Sequence, residues 1–375
     1  MTRALSVAAL LAFAGSVSAQ DLLFVSDFTD GSADEVNLLN VGNGTVDNLI
    51  TFSPGGQDTQ RYGGLSLGLN GFNGEFYIHN SPTPAQDPTV AEVFRIDGLL
   101  SGAPTVSSFI SNDNSVQNVT GMAVDPFTNQ LLISNNPPST PSLPNSEGLL
   151  GYDLSNTANN SLLLPQDSSS PRPRFEAFGG GLVAGQNQGE FFFGTVNGGA
   201  EFDPNLNPGD TRQASTIGRI QFNDAGDPTN NSSELIFDGS PSFTGLTETL
   251  SLIRGIDVLP NGNLVFAEVR SNSIWELALD SNGDFAGLTR LLDLTGTPAD
   301  EFPQRVIYNQ FTGGLNFSVR DRSTGLDSIF ASDIDGSNPV ELISGVRAGS
   351  LIAIPAPGSL ALLGLGGLAA ARRRR

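Results

Sequence analysis

The sequence contains no cysteine and no lysine, so all 18 of its basic residues are arginine. His79 is its only histidine. Without cysteine there can be no disulfide and no thiolate chemistry, and one histidine cannot form the histidine cluster of a zinc site. A Ser-His-Asp triad would have to use His79. These absences exclude cysteine and lysine nucleophiles and leave His79 as the only imidazole available for catalysis.

Acidic residues are abundant by comparison. Setting aside Arg3 and the four C-terminal arginines leaves 13 arginines against 39 acidic residues, and the whole 375-residue chain carries a net charge of −21. Such a surface repels nucleic acid and anionic membranes. The 44 glycines and 23 prolines indicate many turns rather than long helices.

The N-terminus has the three parts of a secretory signal peptide. Arg3 gives a short positive region, residues 4–14 are almost entirely apolar, and small residues precede Gln20. The apolar run is too short for a membrane helix, which needs about 20 residues. We therefore predict a signal peptide over residues 1–19, cut by signal peptidase between Ala19 and Gln20.

The C-terminus has a similar three-part layout. Pro355, Ala356 and Pro357 precede a short apolar stretch over 359–371, and the chain ends in Arg372, Arg373, Arg374 and Arg375. This layout resembles the PEP-CTERM sorting signal of Gram-negative bacteria, with Ala356 in place of the central glutamate. The resemblance implies recognition and cleavage of residues 355–375 by an exosortase-type enzyme, after transient anchoring in the inner membrane, and then display at the cell surface or release. A simple C-terminal membrane anchor is the alternative.

Between the two ends, one pattern recurs with a period near 55 residues. A small residue opens an apolar alternating stretch, and a turn leads to a second such stretch. The five copies pair residues 64–69 with 75–80, 121–126 with 130–135, 180–185 with 190–195, 255–260 with 263–268, and 306–311 with 314–319. Two further strand-like runs follow each pair. Four antiparallel strands in each repeat predict the blade of a β-propeller.

The two chain ends complete the count. Residues 22–27 look like a second strand without a first, and residues 350–354 like a first strand without a second. Joined, they give a sixth blade and remove two exposed sheet edges. We predict an all-β, six-bladed propeller over 20–354, closed by pairing of its N- and C-terminal strands. A β-sandwich or two smaller β-domains are alternatives that do not explain the orphan strands.

Family resemblance supports this fold. Residues 262–274 resemble an NHL repeat, and residues 329–343 are similar to the end of a YWTD-type blade; both families build six-bladed propellers. The likeness implies fold and not activity.

In a blade, the start of strand one and the end of strand two share a face, so aligned copies predict which residues meet at one channel mouth. The former positions hold Gly63, Thr120, Gly179, Arg254, Arg305 and Gly349, and the latter Asp27, Asn80, Asn135, Thr195, Glu268 and Val319. Two guanidinium groups among carboxylates and amides suit a small polar or anionic ligand. The candidate binding residues are Arg254, Arg305, Glu268, Asp27, Asn80 and Asn135. Alternatively, the two arginines pair with Glu268 and Asp27 and neutralise the channel.

Metal sites have weaker support. Propeller lactonases similar to gluconolactonase and regucalcin hold a divalent cation with acidic and amide residues just before the first strands, and none of the six aligned positions here has such a residue. Calcium is the one plausible ion, with candidate ligands Asp333 and Asp335 in one turn and Asp280 and Asn282 in another. Asp and Asn are also ordinary turn residues.

Two function hypotheses follow. The first is an exported, surface-sorted, non-enzymatic propeller that binds a saccharide, a matrix component or a partner protein; exopolysaccharide association is what the sorting-signal resemblance implies. The second is an extracellular hydrolase or lyase that acts at the mouth carrying Arg254 and Arg305. The sequence favours the first and leaves catalysis open.

Overall fold

The computed structural model describes residues 20–26, 34–52, 60–67, 75–82, 92–99, 103–111, 116, 119–125, 129–135, 148–165, 182–187, 189–195, 214–221, 232–295 and 301–355. Within these residues the chain forms six four-stranded antiparallel sheets. One short helix, Pro241–Thr244, joins two of the sheets.

Each sheet is one blade, and consecutive strands are hydrogen-bonded neighbours within it. Blade 1 takes its first strand from the C-terminus and its other three from the N-terminus. The strands of the first three blades are β24 (Ser350–Pro355), β1 (Gln20–Ser26), β2 (Asp34–Asn40) and β3 (Thr45–Phe52) in blade 1; β4 (Gln60–Leu67), β5 (Phe76–Pro82), β6 (Glu92–Asp97) and β7 (Thr105–Ile110) in blade 2; and β8 (Val119–Asp125), β9 (Gln130–Asn135), β10 (Gly148–Asp153) and β11 (Asn156–Pro165) in blade 3.

The remaining blades follow the same plan, each built from one continuous stretch of chain. Their strands are β12 (Leu182–Ala184), β13 (Glu190–Thr195), β14 (Thr216–Gln221) and β15 (Ser232–Asp238) in blade 4; β16 (Ile253–Val258), β17 (Leu264–Glu268), β18 (Ser273–Leu279) and β19 (Phe285–Asp293) in blade 5; and β20 (Glu301–Asn309), β21 (Gly314–Asp321), β22 (Asp327–Ser332) and β23 (Val340–Val346) in blade 6. The predicted six-bladed propeller is confirmed.

The core is divided among the blade interfaces, because side chains alternate between the two faces of each strand. Six separate clusters of buried apolar residues fill the six interfaces of the ring. In β1, Leu23 and Val25 pack towards blade 2, whereas Leu22 and Phe24 pack towards blade 6 with Ile329. Every blade is therefore buried on both faces.

The ring is closed by the predicted pairing of the chain ends. Strands β1 and β24 are antiparallel, with Gln20 opposite Pro355 and Val25 opposite Ser350. The first strands β24, β4, β8, β12, β16 and β20 contact one another around the ring and form its innermost layer. The innermost strand of a blade therefore lines the central channel.

Four of these innermost strands have a β-bulge near the same end. The pairing register shifts between Gly63 and Ser66, Val119 and Gly121, Arg254 and Ile256, and Pro303 and Arg305. A bulge inserts an extra residue and re-aims the neighbouring side chains. These bulges lie at the end of the channel where the candidate site was predicted.

Candidate functional site

Four arginines of blades 5 and 6 form a cluster at one end of the channel, which we call the arginine mouth. Arg254 lies in β16, Arg305 in β20 and Arg320 in β21, and Arg322 follows directly after β21. Arg254 and Arg305 are the two arginines predicted from the aligned repeats.

The mouth is built around Phe302. The Cζ atom of Arg254 lies 5.7 Å from the centre of the Phe302 ring, and that of Arg322 lies 4.6 Å from it. Arg254 is buried, and its Nη1 donates a hydrogen bond to Oε1 of Gln304, the extra residue of the β20 bulge. Arg322 is exposed and Arg305 is half-buried. The cluster therefore extends from the protein interior to solvent.

Arg305 and Arg320 hold the rim of the mouth in place. Nε of Arg305 donates to the carbonyl oxygen of Gly349 at 2.9 Å, which connects blade 6 to the residue before β24. Arg320 forms a bidentate ion pair with Asp327, at 2.8 Å and 3.0 Å, and Asp327 also accepts a hydrogen bond from the Ala348 amide. Both carboxylate oxygens of Asp327 therefore accept hydrogen bonds.

The charges that act on Arg254 are mostly positive. Burial, followed by the charges of Arg320 and Arg305, lowers the pKa of Arg254 to about 9; Arg322 adds to the effect and Asp327 opposes it. Burial and the Arg320 charge likewise lower the pKa of Arg305 to about 10, again with Asp327 opposing. Of the charged groups that act on Arg254, three are cationic and one is anionic. Arg254 therefore lies in a locally positive environment on a chain of net charge −21, although the acidic residues Glu301 and Asp321 lie opposite each other at the same end of blade 6.

His79, on β5 of blade 2, is also within range of the Arg305 charge. The side chain is only 6% exposed. Burial and, secondly, the Arg305 charge lower the pKa of His79 to about 3. The imidazole is therefore neutral at physiological pH.

Glu268 lies at the same end of blade 5 as Arg254, because it pairs across the strands with Ile253, the neighbour of Arg254. Its side chain, however, lies on the other side of the sheet from that of Arg254. Its carboxylate accepts hydrogen bonds from the amides of Ser251, Leu252 and Ser271. Burial raises the pKa of Glu268 to about 7, although these bonds oppose the rise. The Glu268 carboxylate therefore holds the backbone before β16 and after β17 in place.

The other predicted binding residues are less fully described. Asn80 lies in β5 and Asn135 is the last residue of β9. Asp27 lies outside the described residues. Within the described part of the chain, the structure adds Arg320, Arg322, Gln304 and Phe302 to the predicted pair Arg254 and Arg305. The charged run 320–322 at the end of β21 was the available sequence signal for two of them.

The turns proposed for calcium use their own carboxylates as acceptors. Asp280 accepts from the amides of Asn282 and Asp284 at 2.8 Å and 3.0 Å. Asp335 accepts from the amide and hydroxyl of Ser337, and Asp333 from the side chain of Asn338. Among the residues described here, no three Asp, Glu, His or Cys side chains gather in a way that could hold a metal ion. Calcium binding stays a prediction.

One serine has the spacing of a hydrolase nucleophile. Residues 64–68 read Gly-x-Ser-x-Gly. In α/β-hydrolases the serine stands exposed on a sharp strand-to-helix turn. Here Ser66 is buried within strand β4. The local structure is therefore not that of a nucleophile elbow.

Sequence comparison decides the meaning of the C-terminal segment. Residues 353–375 match the model of the PEP-CTERM protein-sorting motif. The chain carries a PEP-CTERM sorting motif. The motif marks export, processing by an exosortase-type enzyme, and membrane anchoring that is followed by display at the surface.

Within the described residues, no helix is long and apolar enough to span a bilayer. The signal-peptide cleavage between Ala19 and Gln20 stays a prediction; β1 begins at Gln20. Ala356, Pro357 and Arg372 to Arg375 lie outside the described residues.

Solved structures support the fold of the PEP-CTERM chain and nothing more specific. A chain of the nidogen/laminin complex is 13% identical over 90% of this chain and 99% of its own, with a TM-score of 0.57. A protein described as a putative 6-phosphogluconolactonase from Bacteroides fragilis is 12% identical over 90% of this chain and 98% of its own, with a TM-score of 0.50. No curated protein matches the sequence.

Proposed function

We propose that this exported, surface-sorted propeller binds an anionic ligand, such as a saccharide bearing carboxylate or sulfate groups, at the arginine mouth. The observation that carries the proposal is the cluster itself: the guanidinium groups of Arg254 and Arg322 both lie on the Phe302 ring. Besides burial, which is the larger cause, the Arg320 charge lowers the pKa of both Arg254 and Arg305. Like charges held together repel one another, and a bound anion would relieve that repulsion. Guanidinium groups also match the geometry of carboxylate and sulfate oxygens.

Gln304 supplies a further donor. Its Oε1 accepts from Arg254, and its Nε2 is one of the few buried side-chain nitrogens in the described residues with no hydrogen-bond partner. Buried amide donors are normally hydrogen-bonded. This donor, beside Arg254, suits an acceptor oxygen on a ligand.

The groups around the mouth favour binding without turnover. His79 has a pKa near 3 and is almost fully buried, so it is a poor general acid or base at neutral pH. Glu268 is on the other face of its blade, and Asp327 is held by Arg320 and the Ala348 amide. A hydrolase or lyase acting at the mouth remains the alternative hypothesis, and product analysis separates the two.

The test is calorimetric titration of the purified protein with oligogalacturonate, and with its methyl ester as a neutral match. At 0.15 M salt the screening length is about 8 Å, which weakens repulsion from the acidic outer surface. Arg322→Gln removes an exposed cation of the mouth and Arg305→Gln a half-buried one. Arg290→Gln is the control, because Arg290 lies on the outermost strand β19 and also carries one positive charge.

We expect oligogalacturonate to bind and the methyl ester to bind at least tenfold more weakly. Each mouth variant should lose about tenfold or more, since a charged hydrogen bond contributes roughly 1.5–3 kcal/mol. Arg290→Gln should bind as the parent does. Equal affinity for the ester, or an equal loss in Arg290→Gln, would reject the mouth as an anion site. Shortened or unsaturated products would favour the enzymatic alternative.

A further inference from the structure

The direction of β24 relates the sorting motif to the arginine mouth. The carbonyl oxygen of Gly349, the residue before β24, accepts a hydrogen bond from Arg305. From there β24 runs from Ser350 to Pro355, away from the mouth. Six residues of strand cover about 20 Å. The chain therefore leaves the propeller at the end opposite the arginine mouth, which we call the exit face.

Strand β1 begins at the same face. Strand β1 is antiparallel to β24, with Gln20 opposite Pro355, so β1 begins where β24 ends. The predicted signal peptide precedes Gln20, and the sorting motif includes Pro355. The two membrane-directed segments of the chain are thus joined to neighbouring residues on one face of the propeller.

Little chain separates this face from the apolar part of the sorting motif. The motif match starts at residue 353, inside β24. Only residues 356–358 lie between the strand and the apolar stretch 359–371, and three residues can span at most about 11 Å. We propose that the exit face lies against the membrane while the tail is inserted, and that the arginine mouth points away from it.

The short connection, and not surface charge, would impose this orientation. The turns at the exit face include Asp280, Asp284, Asp333 and Asp335, which an anionic membrane surface would repel. The arginine mouth would be drawn towards such a surface if the propeller were free to turn. The proposed orientation is therefore opposite to the one that simple electrostatic attraction would produce, and it does not depend on what the mouth binds.

The absence of cysteine makes the orientation measurable. Gln310→Cys places one thiol in the exposed turn after β20, at the exit face, and Ser323→Cys places one in the exposed turn after β21, at the mouth face of the same blade. Each full-length variant is labelled with a thiol-reactive fluorophore and reconstituted into vesicles through its own tail. Quenching by a nitroxide carried on the lipid then reports which turn is near the bilayer, and vesicles without nitroxide give the reference intensity.

We expect the label at position 310 to be quenched several-fold more than the label at position 323. A water-soluble quencher should reach both labels, because both turns are exposed. Equal quenching, stronger quenching at position 323, or no quenching at either position would each overturn the proposal. Equal quenching would mean that the propeller turns freely, and stronger quenching at position 323 that it is inverted. No quenching at either position would mean that the propeller stands away from the membrane.

Discussion

At the scale of single residues, the only histidine is a sensor for the charge at the mouth. Burial and the Arg305 cation lower the pKa of His79 to about 3. A positive neighbour disfavours the protonated imidazole, so removing that neighbour should raise the pKa. Because the sequence has one histidine, its ring resonances need no assignment.

We therefore predict that Arg305→Gln raises the pKa of His79, as measured by NMR titration of the ring protons. The rise should be partial, since burial is the larger cause and remains. Arg290→Gln, which removes a cation from the outermost strand of blade 5, should leave the titration unchanged. An unchanged His79 in Arg305→Gln would show that this guanidinium does not act on the imidazole.

The sequence could predict some residues of the mouth and not others. Arg254 and Arg305 were found because they occupy aligned positions in neighbouring repeats. Arg320 was missed because β21 extends beyond Val319, where alternation of apolar residues stops. Glu268 was grouped with the arginines because it ends its strand. It does lie at the same end of blade 5 as Arg254, but its side chain points to the opposite side of the sheet. The end of the strand at which a residue lies was predictable, whereas the side of the sheet to which its side chain points depends on register and bulges.

At the scale of strands, the bulge at Gly255 holds blades 5 and 6 close together. Gly255 has φ +63°, a conformation that favours glycine. A Cβ added there would lie 2.9 Å from Cα of Arg305 and 3.0 Å from the amide nitrogen of Val306. The backbones of two neighbouring innermost strands therefore meet at this glycine, between the two arginines of the mouth.

Gly255→Ala should lower the free energy of unfolding by about 1–3 kcal/mol, because the backbone is strained and blade 6 must move away. It should also weaken anion binding, since Arg305 is the residue that would be displaced. Gly287→Ala on β19 is the matched control, because an added Cβ there meets nothing within 4 Å. Denaturant titration of both variants checks this. Equal stability of the two would contradict close contact at Gly255.

Regular strands were predictable and their interruptions were not. The paired apolar stretches of each repeat correspond to first and second strands in the structure, including β16 with β17 and β20 with β21. The bulge between Pro303 and Arg305 leaves no period-two signature, and β20 begins at Glu301, before the predicted run at 306. A proline and a glutamine within a strand are weak strand signals, which explains the missed start.

At the scale of the whole molecule, closure of the ring was predictable because the two end fragments complete each other. Residues 22–27 lack a first strand and residues 350–354 lack a second, and an unpaired sheet edge is unfavourable. The structure pairs them with Val25 opposite Ser350. The register of this pairing could not be predicted from the sequence, because no hairpin turn joins the two strands.

Closure can be tested covalently, because the chain has no competing thiol. Directly opposite residues of antiparallel strands have Cα atoms about 4.5–5.5 Å apart, within the range that a disulfide bridges. The pair Val25→Cys and Ser350→Cys should therefore form a disulfide on oxidation, and closing so long a loop should raise the free energy of unfolding by on the order of 4 kcal/mol. Reduction should abolish the gain, and Val25→Cys alone should show none. Thiols that stay reactive towards maleimide in the oxidised, folded double variant would mean that β1 and β24 are not neighbours, and the shared exit face of the two chain ends would be lost with them.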